Sequence, residues 1–427
     1  MFQAKKTRWR NLENAAKIFP ATSNKKDERV FRFVCELKEE VEPGALQGAL
    51  DLCIQEFPMF SCVLRKGLFW NYFESTDIQP KVREEYKVPC SQLYVRDQKS
   101  LLFEVTYFGK RINCEMYHAL TDGTGALAFF RVLVYHYLRE AHPEEVRGPV
   151  ASVLADATAE EMEEDSFEKY YGEGREVTDI PAYRSFQLRY RRLEYGSLRL
   201  IQGTLSVKEA LSQARQRGVT LTVFLTAVYL CAIAKELARR QKNKIVSLMV
   251  PVNLRSYFPS KSMRNFFWWI DIGYNFEGWD GDLEKVVSFV GGFFKKELTR
   301  ERMAARIYGL MKFERNPLVR ILPLALKQAA LYLGTNMKPS GNTAIFSNIG
   351  KIVMPQECSP FLEQFEVFTS TPKVELCMCS YGDKLSLSFT SSYVDTRIER
   401  NFFRILTDLG IKAEISAWSP EEGGGAE

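Results

Sequence analysis

One histidine in this sequence stands where an imidazole can do chemistry. His118 closes the largely apolar run 111–117 and is followed by Ala119-Leu120-Thr121-Asp122-Gly123, with a second glycine at Gly125. A strand that ends in a histidine and runs into a glycine-containing loop lets the ring project from a rigid element into a cleft. An imidazole with an ordinary pKa of about 6.5 suits proton transfer near neutrality. The same residues also fit a plainer role, with His118 as a hydrogen-bonded core histidine and Asp122 as the cap of the next helix. Gly123, and with it Gly125, gives a tight turn a residue without a Cβ. His136 on the following helix and His142 in the linker show no evident partner. Three scattered histidines offer no metal-ligand spacing, so no metal is expected.

The nine cysteines form an odd set without a CxxC pair and lie mostly in apolar runs. They read as buried free thiols in a reducing compartment. Cys377 and Cys379 alternate onto one face of a strand, where a metal would have two ligands. No second pair lies near them in sequence, so they too read as buried thiols. Lys and Arg exceed Asp and Glu by 58 to 53, too small a surplus to point to nucleic acid. The basic residues near the start lack a following apolar core, so no secretory signal is expected. The longest apolar stretch, 219–234, is interrupted by threonines and falls short of the roughly 20 residues that span a bilayer. It reads as a buried helix, and the protein is expected to be cytoplasmic, without a transmembrane segment.

The elements that must hold His118 follow from periodicity. Residues 31–37 read as a strand, and Pro43 opens a helix with Leu46, Ala49, Leu50, Cys53 and Ile54 on one face, ended by Pro58. Short strands are expected at 62–65, 69–73, 101–108 and 111–117, the last two joined at Gly109-Lys110. Helical period returns after Gly125. A second α/β unit begins at Leu198, with a strand, a helix over 208–217, the buried helix and a strand over 245–252. Near the end, 374–380 and 385–391 form a hairpin. Thr396 with Glu399 reads as a capping box for a last helix that Gly410 stops.

At 427 residues the chain exceeds a typical domain of roughly 100–200 residues, so two comparable domains are expected. Residues 1–150 form the first α/β half, 151–185 an acidic linker, 186–418 the second half and 419–427 a frayed tail. The run containing Glu160, Glu161, Glu163, Glu164, Asp165 and Glu168 reads as a solvated linker face.

His118 to Gly123 matches an HxxxDG motif and resembles the chloramphenicol acetyltransferase-like superfamily of acyltransferases, which includes alcohol acetyltransferases and condensation domains. The surroundings carry the resemblance further. The helix over 46–58 with Phe60 and Trp70 is similar to the start of such enzymes, and Val250-Pro251-Val252-Asn253-Leu254-Arg255, Arg264-Asn265-Phe266-Phe267 and Phe346-Ser347-Asn348-Ile349-Gly350 to later segments, so that the likeness spans roughly residues 12–415. Two departures stand out: Tyr117 replaces the first of two adjacent histidines found in many members, and the plant-type DFGWG segment is absent.

The resemblance implies two chloramphenicol acetyltransferase-like α/β sandwich halves with a channel between them. It implies an acyltransferase in which His118 takes the proton of an alcohol or amine acceptor as that atom attacks an acyl-coenzyme A thioester, with no covalent intermediate and no bound cofactor. A carrier-protein thioester in trans, or a non-catalytic binding or scaffold role for the same shell, are the other readings. It also implies that Asp122 forms a structural ion pair, for which Arg255 is the candidate. Asn265, Ser347 and Asn348 are candidates for oxyanion or substrate contacts, though each could equally hold a turn or cap. Arg239, Arg240, Lys242 and Lys244 could meet coenzyme A phosphates, or simply close a helix C-terminus, where cations are favoured.

Overall fold

The computed structural model describes residues 9–25, 27–96, 98–148, 157–175, 184–337 and 341–418. The chain opens with β1 (Trp9–Asn11) and a short α1 (Ile18–Thr22), then β2 (Val30–Leu37) and α2 (Pro43–Glu56). Strands β3 (Cys62–Lys66), β4 (Asn71–Ser75), β5 (Arg83–Glu84), β6 (Phe103–Phe108) and β7 (Arg111–Tyr117) follow, and β7 leads through a short turn into α3 (Gly123–Ala141). Two short helices, α4 (Ala159–Met162) and α5 (Ser166–Tyr170), precede β8 (Arg199–Ser206), α6 (Val207–Gln216), α7 (Leu221–Ala234), β9 (Ile245–Asn253) and β10 (Phe267–Asn275). Four helices come next: α8 (Leu283–Glu297), α9 (Arg300–Arg315), α10 (Pro317–Ile321) and α11 (Leu324–Met337). The chain closes with β11 (Ala344–Lys351), β12 (Leu362–Thr369), β13 (Val374–Tyr381), β14 (Lys384–Ser391), α12 (Arg397–Asp408) and β15 (Ala413–Trp418).

These elements make two α/β lobes, each with its own core. The first lobe carries a sheet in the order β12-β2-β7-β6-β5, with α3 packed on β2 and β7 and α2 on α3. Its central strands β2 and β7 are buried along almost their whole length because both faces are covered. Phe33 packs on Phe130 of α3, while on the other face Arg32 pairs with Glu115 and Glu85. The second lobe carries a sheet in the order β10-β9-β11-β13-β14-β8-β15, with α7 lying against α6, α8, α12 and β9. That enclosure explains why α7 lacks a polar stripe: a helix covered on every side gains from apolar residues all round.

β12 crosses between the lobes. It comes from the second half of the chain yet pairs antiparallel with β2, Thr369 opposite Phe31, so the first sheet is not built from residues 1–150 alone. In the acidic stretch, Met162 and Phe167 are buried, Phe167 against the ring of Phe266, while Glu160, Glu161 and Glu168 face water. The described part of the expected linker is therefore docked rather than wholly solvated, and residues 151–156, 176–183 and the tail 419–427 lie outside the described residues. Gly410, with φ of 84°, ends α12 as expected, but the capping box does not form. Thr396 makes no side-chain cap bond, Glu399 is buried, and Asp395 instead accepts the N–H of Arg397. The spacing was right, but the helix turns Glu399 toward the core. Among the described residues no single helix is long and apolar enough to cross a membrane.

Candidate functional site

His118 sits where the two lobes meet, one residue past the end of β7. Its backbone N–H donates to the carbonyl of Arg29 (2.8 Å), extending the β2–β7 pairing by one rung. Arg29 adopts a left-handed conformation (φ 56°) that Asp27 holds from two sides, accepting the Arg29 N–H at 3.1 Å and pairing with its guanidinium at 3.0 Å. The imidazole is partly buried among aromatic rings: Phe19 stacks on it at 4.3 Å, Phe31 meets it edge-on at 5.0 Å, and Phe267 of β10 lies at 5.3 Å. Burial in these surroundings lowers the pKa of His118 below its ordinary 6.5, outweighing the opposing pull of its hydrogen bonds and of Asp122. The ring is therefore neutral at pH 7.

Which nitrogen carries the proton follows from the partner. Asn265 is buried and donates its Nδ2 to Glu13 Oε1 (2.8 Å) and to the carbonyl of Ala119 (3.3 Å), so the atom it turns to His118 Nδ1 at 3.2 Å is its carbonyl oxygen. A carboxylate accepts only, which fixes the amide orientation. Nδ1 must then be the N–H, and Nε2 keeps the free lone pair. Glu13, almost completely buried, also accepts the backbone N–H of Asn265 (3.0 Å) and pairs with Arg264 (2.9 Å).

Asp122 performs two tasks with two oxygens. Oδ1 caps α3 by accepting the N–H groups of Thr124 and Gly125, both at 3.0 Å. Oδ2 lies 2.7 Å from Arg255 Nη1 and accepts the Phe266 N–H at 2.8 Å. The cap and the ion pair, alternatives in the sequence, coexist. Arg255 reaches further, to the carbonyls of Ser262 (2.7 Å) and Arg264 (2.6 Å), and so ties the loop before β10 to the loop after β7. The glycines serve close packing here rather than an unusual turn. A Cβ on Gly123 would stand 2.7 Å from Ile349 Cδ1, and one on Gly125 would stand 2.3 Å from the Met263 carbonyl.

The other sequence candidates divide. Asn348 donates to Thr222 at the start of α7 (2.8 Å) and accepts the Gly350 N–H (2.7 Å), which commits it to holding β11 against α7. Ser347 points to the opposite face of β11, away from the α7 side that Phe346 and Asn348 occupy. Arg239, Arg240, Lys242 and Lys244 follow the far end of α7, roughly 20 Å of helix away from Thr222 at its start. His136 and His142 do have partners: His136 Nε2 lies 2.7 Å from Glu56, and His142 bonds Glu39 and stacks on Phe361. All nine cysteines are free and buried. Among the described residues no group of three or more His, Cys, Asp or Glu is placed to hold a metal. Glu13, Arg29, Phe19 and Phe31 were not singled out in the sequence, and Phe267 stood there only as part of a matched segment. Glu13 lies 252 residues from its partner Asn265, and nothing in its local pattern marks it.

No protein-family model matches the chain, and neither does any curated protein sequence. Its fold is shared with solved structures. TRI101 of F. graminearum, complexed with coenzyme A and deoxynivalenol, aligns over 95% of this chain and 99% of its own, with TM-score 0.63 and 11% identity. Polyketide synthase associated protein 5 of Mycobacterium tuberculosis aligns over 95% and 98%, with TM-score 0.59 and 14% identity. The epimerization domain from the third module of tyrocidine synthetase B aligns over 96% and 98%, with TM-score 0.56 and 11% identity. At such identities the likeness is one of fold: the chain shares the two-lobed α/β fold of these structures.

Proposed function

We propose that this chain is an acyltransferase that moves an acyl group from a coenzyme A thioester to an alcohol or amine, with His118 as the general base. The observation that supports it most is the state of His118: neutral by burial, with Nδ1–H held by Asn265 and the Nε2 lone pair free. A base of this kind must be unprotonated at working pH and aimed by a second group, and both conditions are met.

In this reaction Nε2 takes the proton of the acceptor O–H or N–H while the acceptor atom bonds to the thioester carbonyl carbon. The C–O π electrons move to oxygen, giving a tetrahedral intermediate. When the carbonyl re-forms, the C–S bond breaks and the thiolate receives the proton from Nε2. No enzyme atom bonds to the acyl group. Of the three polar candidates for the developing oxyanion, Asn265 has both amide hydrogens engaged, by Glu13 and the Ala119 carbonyl, and Asn348 is turned to the α7 side of β11. The Ser347 hydroxyl is the candidate that remains. TRI101, whose structure is complexed with coenzyme A and deoxynivalenol, gives the donor class its precedent.

The test is a thiol-release screen of acyl-coenzyme A donors against pooled alcohols and amines, with an arm in which the acyl group is loaded on an acyl carrier protein. Release that requires both donor and acceptor supports the proposal. Release only from the carrier protein would assign a condensation-type donor, and coenzyme A binding without turnover would assign a binding protein.

A further inference from the structure

The surface formed by α10, α11 and the turn between β3 and β4 is apolar where a soluble protein should be polar. Leu318 and Ile321 of α10, Leu322 in the extended link after it and Leu326 of α11 are all exposed, Leu318 and Ile321 to 74% and 67%. Leu68 and Phe69 stand beside them. The Leu68 carbonyl accepts the Leu324 N–H at 2.9 Å, and the Phe69 carbonyl accepts Lys327 Nζ at 3.1 Å. Single exposed leucines are ordinary, but six large apolar side chains in one neighbourhood form the kind of patch that marks an interaction site.

The way this segment is attached makes the patch more telling. Its inward anchor is a lysine: Lys327 is buried, with its ammonium 3.5 Å from the centre of the Trp70 ring and bonded to the carbonyls of Phe69 and Arg320. The cation faces the protein beside the buried Leu324, while Leu318, Ile321, Leu322 and Leu326 face out. Charge is equally one-sided. The sequence holds no Asp or Glu between Glu314 and Glu357, while exposed Lys66, Arg96 and Arg320 border the patch, Arg96 through a bond to Gln328 of α11 (3.1 Å).

We propose that this surface docks the protein on an anionic lipid bilayer. The six apolar side chains enter the headgroup–acyl boundary, and Lys66, Arg96 and Arg320 meet lipid phosphates or carboxylates. The chemistry fits lipid better than a protein partner. Protein interfaces centre on aromatic anchors and directional hydrogen bonds, whereas this patch offers mainly aliphatic side chains beside a basic rim, with neighbouring Glu314 already paired to Lys17, the composition of interfacial surfaces. The site is also near the chemistry, since α11 packs on α1, whose Phe19 stacks on His118. The docking itself does not depend on what His118 does.

The test is sedimentation of the full-length protein with vesicles of phosphatidylcholine alone and with about one-third phosphatidylserine, at low and high salt. The wild type should bind the anionic vesicles, and less so in high salt. Ile321→Glu and Leu326→Glu should each weaken binding about tenfold or more, and Arg320→Glu should reduce it on anionic vesicles. Ile415→Glu, at an apolar side chain exposed elsewhere on β15, should bind as the wild type does. Circular dichroism confirms that each variant is folded. The proposal is overturned if the folded wild type stays in the supernatant, or if the patch variants bind equally well. It is also overturned if light scattering finds a dimer that Ile321→Glu dissociates, since the face would then belong to a second copy.

Discussion

Removing the Asp122 carboxylate should destabilise the junction between the lobes by an amount that its contacts allow to be worked out. In Asp122→Ala, α3 loses the cap that satisfies Thr124 and Gly125, at about 1 kcal/mol. The buried N–H of Phe266 loses its acceptor, at about 1–3 kcal/mol. Arg255, with only 9% of its side chain exposed, loses its anion but keeps the carbonyls of Ser262 and Arg264. Its contribution therefore falls at the low end of the roughly 3–5 kcal/mol seen when a buried pair is broken. These effects overlap, and a total of about 5 kcal/mol is expected. At an unfolding entropy of about 2.1 cal/mol/K per residue, 427 residues give about 0.9 kcal/mol/K, so the melting temperature should fall by roughly 6 °C. The assay is calorimetry on Asp122→Ala, Arg255→Ala and the double variant, with rates measured alongside. The double variant should cost less than the sum of the singles by about 1 kcal/mol or more. A melting temperature within about 1 °C of wild type for Asp122→Ala, or strict additivity, would refute the reasoning.

Further outcomes follow from the same geometry. Glu13→Ala frees the Asn265 amide to turn its NH2 toward His118, so kcat should drop about tenfold or more with little change in donor KM and an altered pH profile; an unchanged kcat in a folded variant would count against this tautomer device. Because His118 is depressed by burial, the rate should rise with pH through a midpoint below 6.5 and be flat by neutrality, and a midpoint above about 7 would contradict the assignment. Glu375 is buried near Asp27, and desolvation pushes its carboxyl from an ordinary 4.5 up to about 8. Its folded pKa exceeds its unfolded one, so its contribution to stability is present below about pH 4.5 and lost as pH rises through 8. Glu375→Gln should thus raise the melting temperature more at pH 8 than at pH 5, and an equal shift at both would reject the linkage. Burial also pushes the Cys114 thiol well up, and N-ethylmaleimide should leave turnover intact; an acyl group trapped on Cys114 would replace direct transfer with a two-step route.

Much of the scaffold was legible because it rests on local pattern. The β6–β7 hairpin at Gly109-Lys110, the buried helix α7 and the final hairpin β13–β14 each show their period within one short continuous stretch of sequence. His118 and Asp122 stood out because a strand end, a polar turn and a glycine fall together. What stayed hidden depends on distant pairing. β12 completes a sheet begun more than 300 residues earlier, and Glu13 acts only through Asn265, so neither has a signal at its own position. The capping-box reading of Thr396 and Glu399 failed for a related reason: spacing alone does not say which way the first turn of α12 faces, and here Glu399 faces inward. The apolar stretch 317–326 likewise does not show in sequence which way its side chains face, and the packing of Lys327 shows that most of its leucines point out.

The central claim is that His118 is the base for acyl transfer, and the most direct measurement is thiol release by His118→Ala beside the wild type, with the best donor and acceptor from the screen. The account predicts turnover lower by about two to four orders of magnitude, with donor binding retained and a melting temperature close to that of the wild type. Full activity in folded His118→Ala would contradict it.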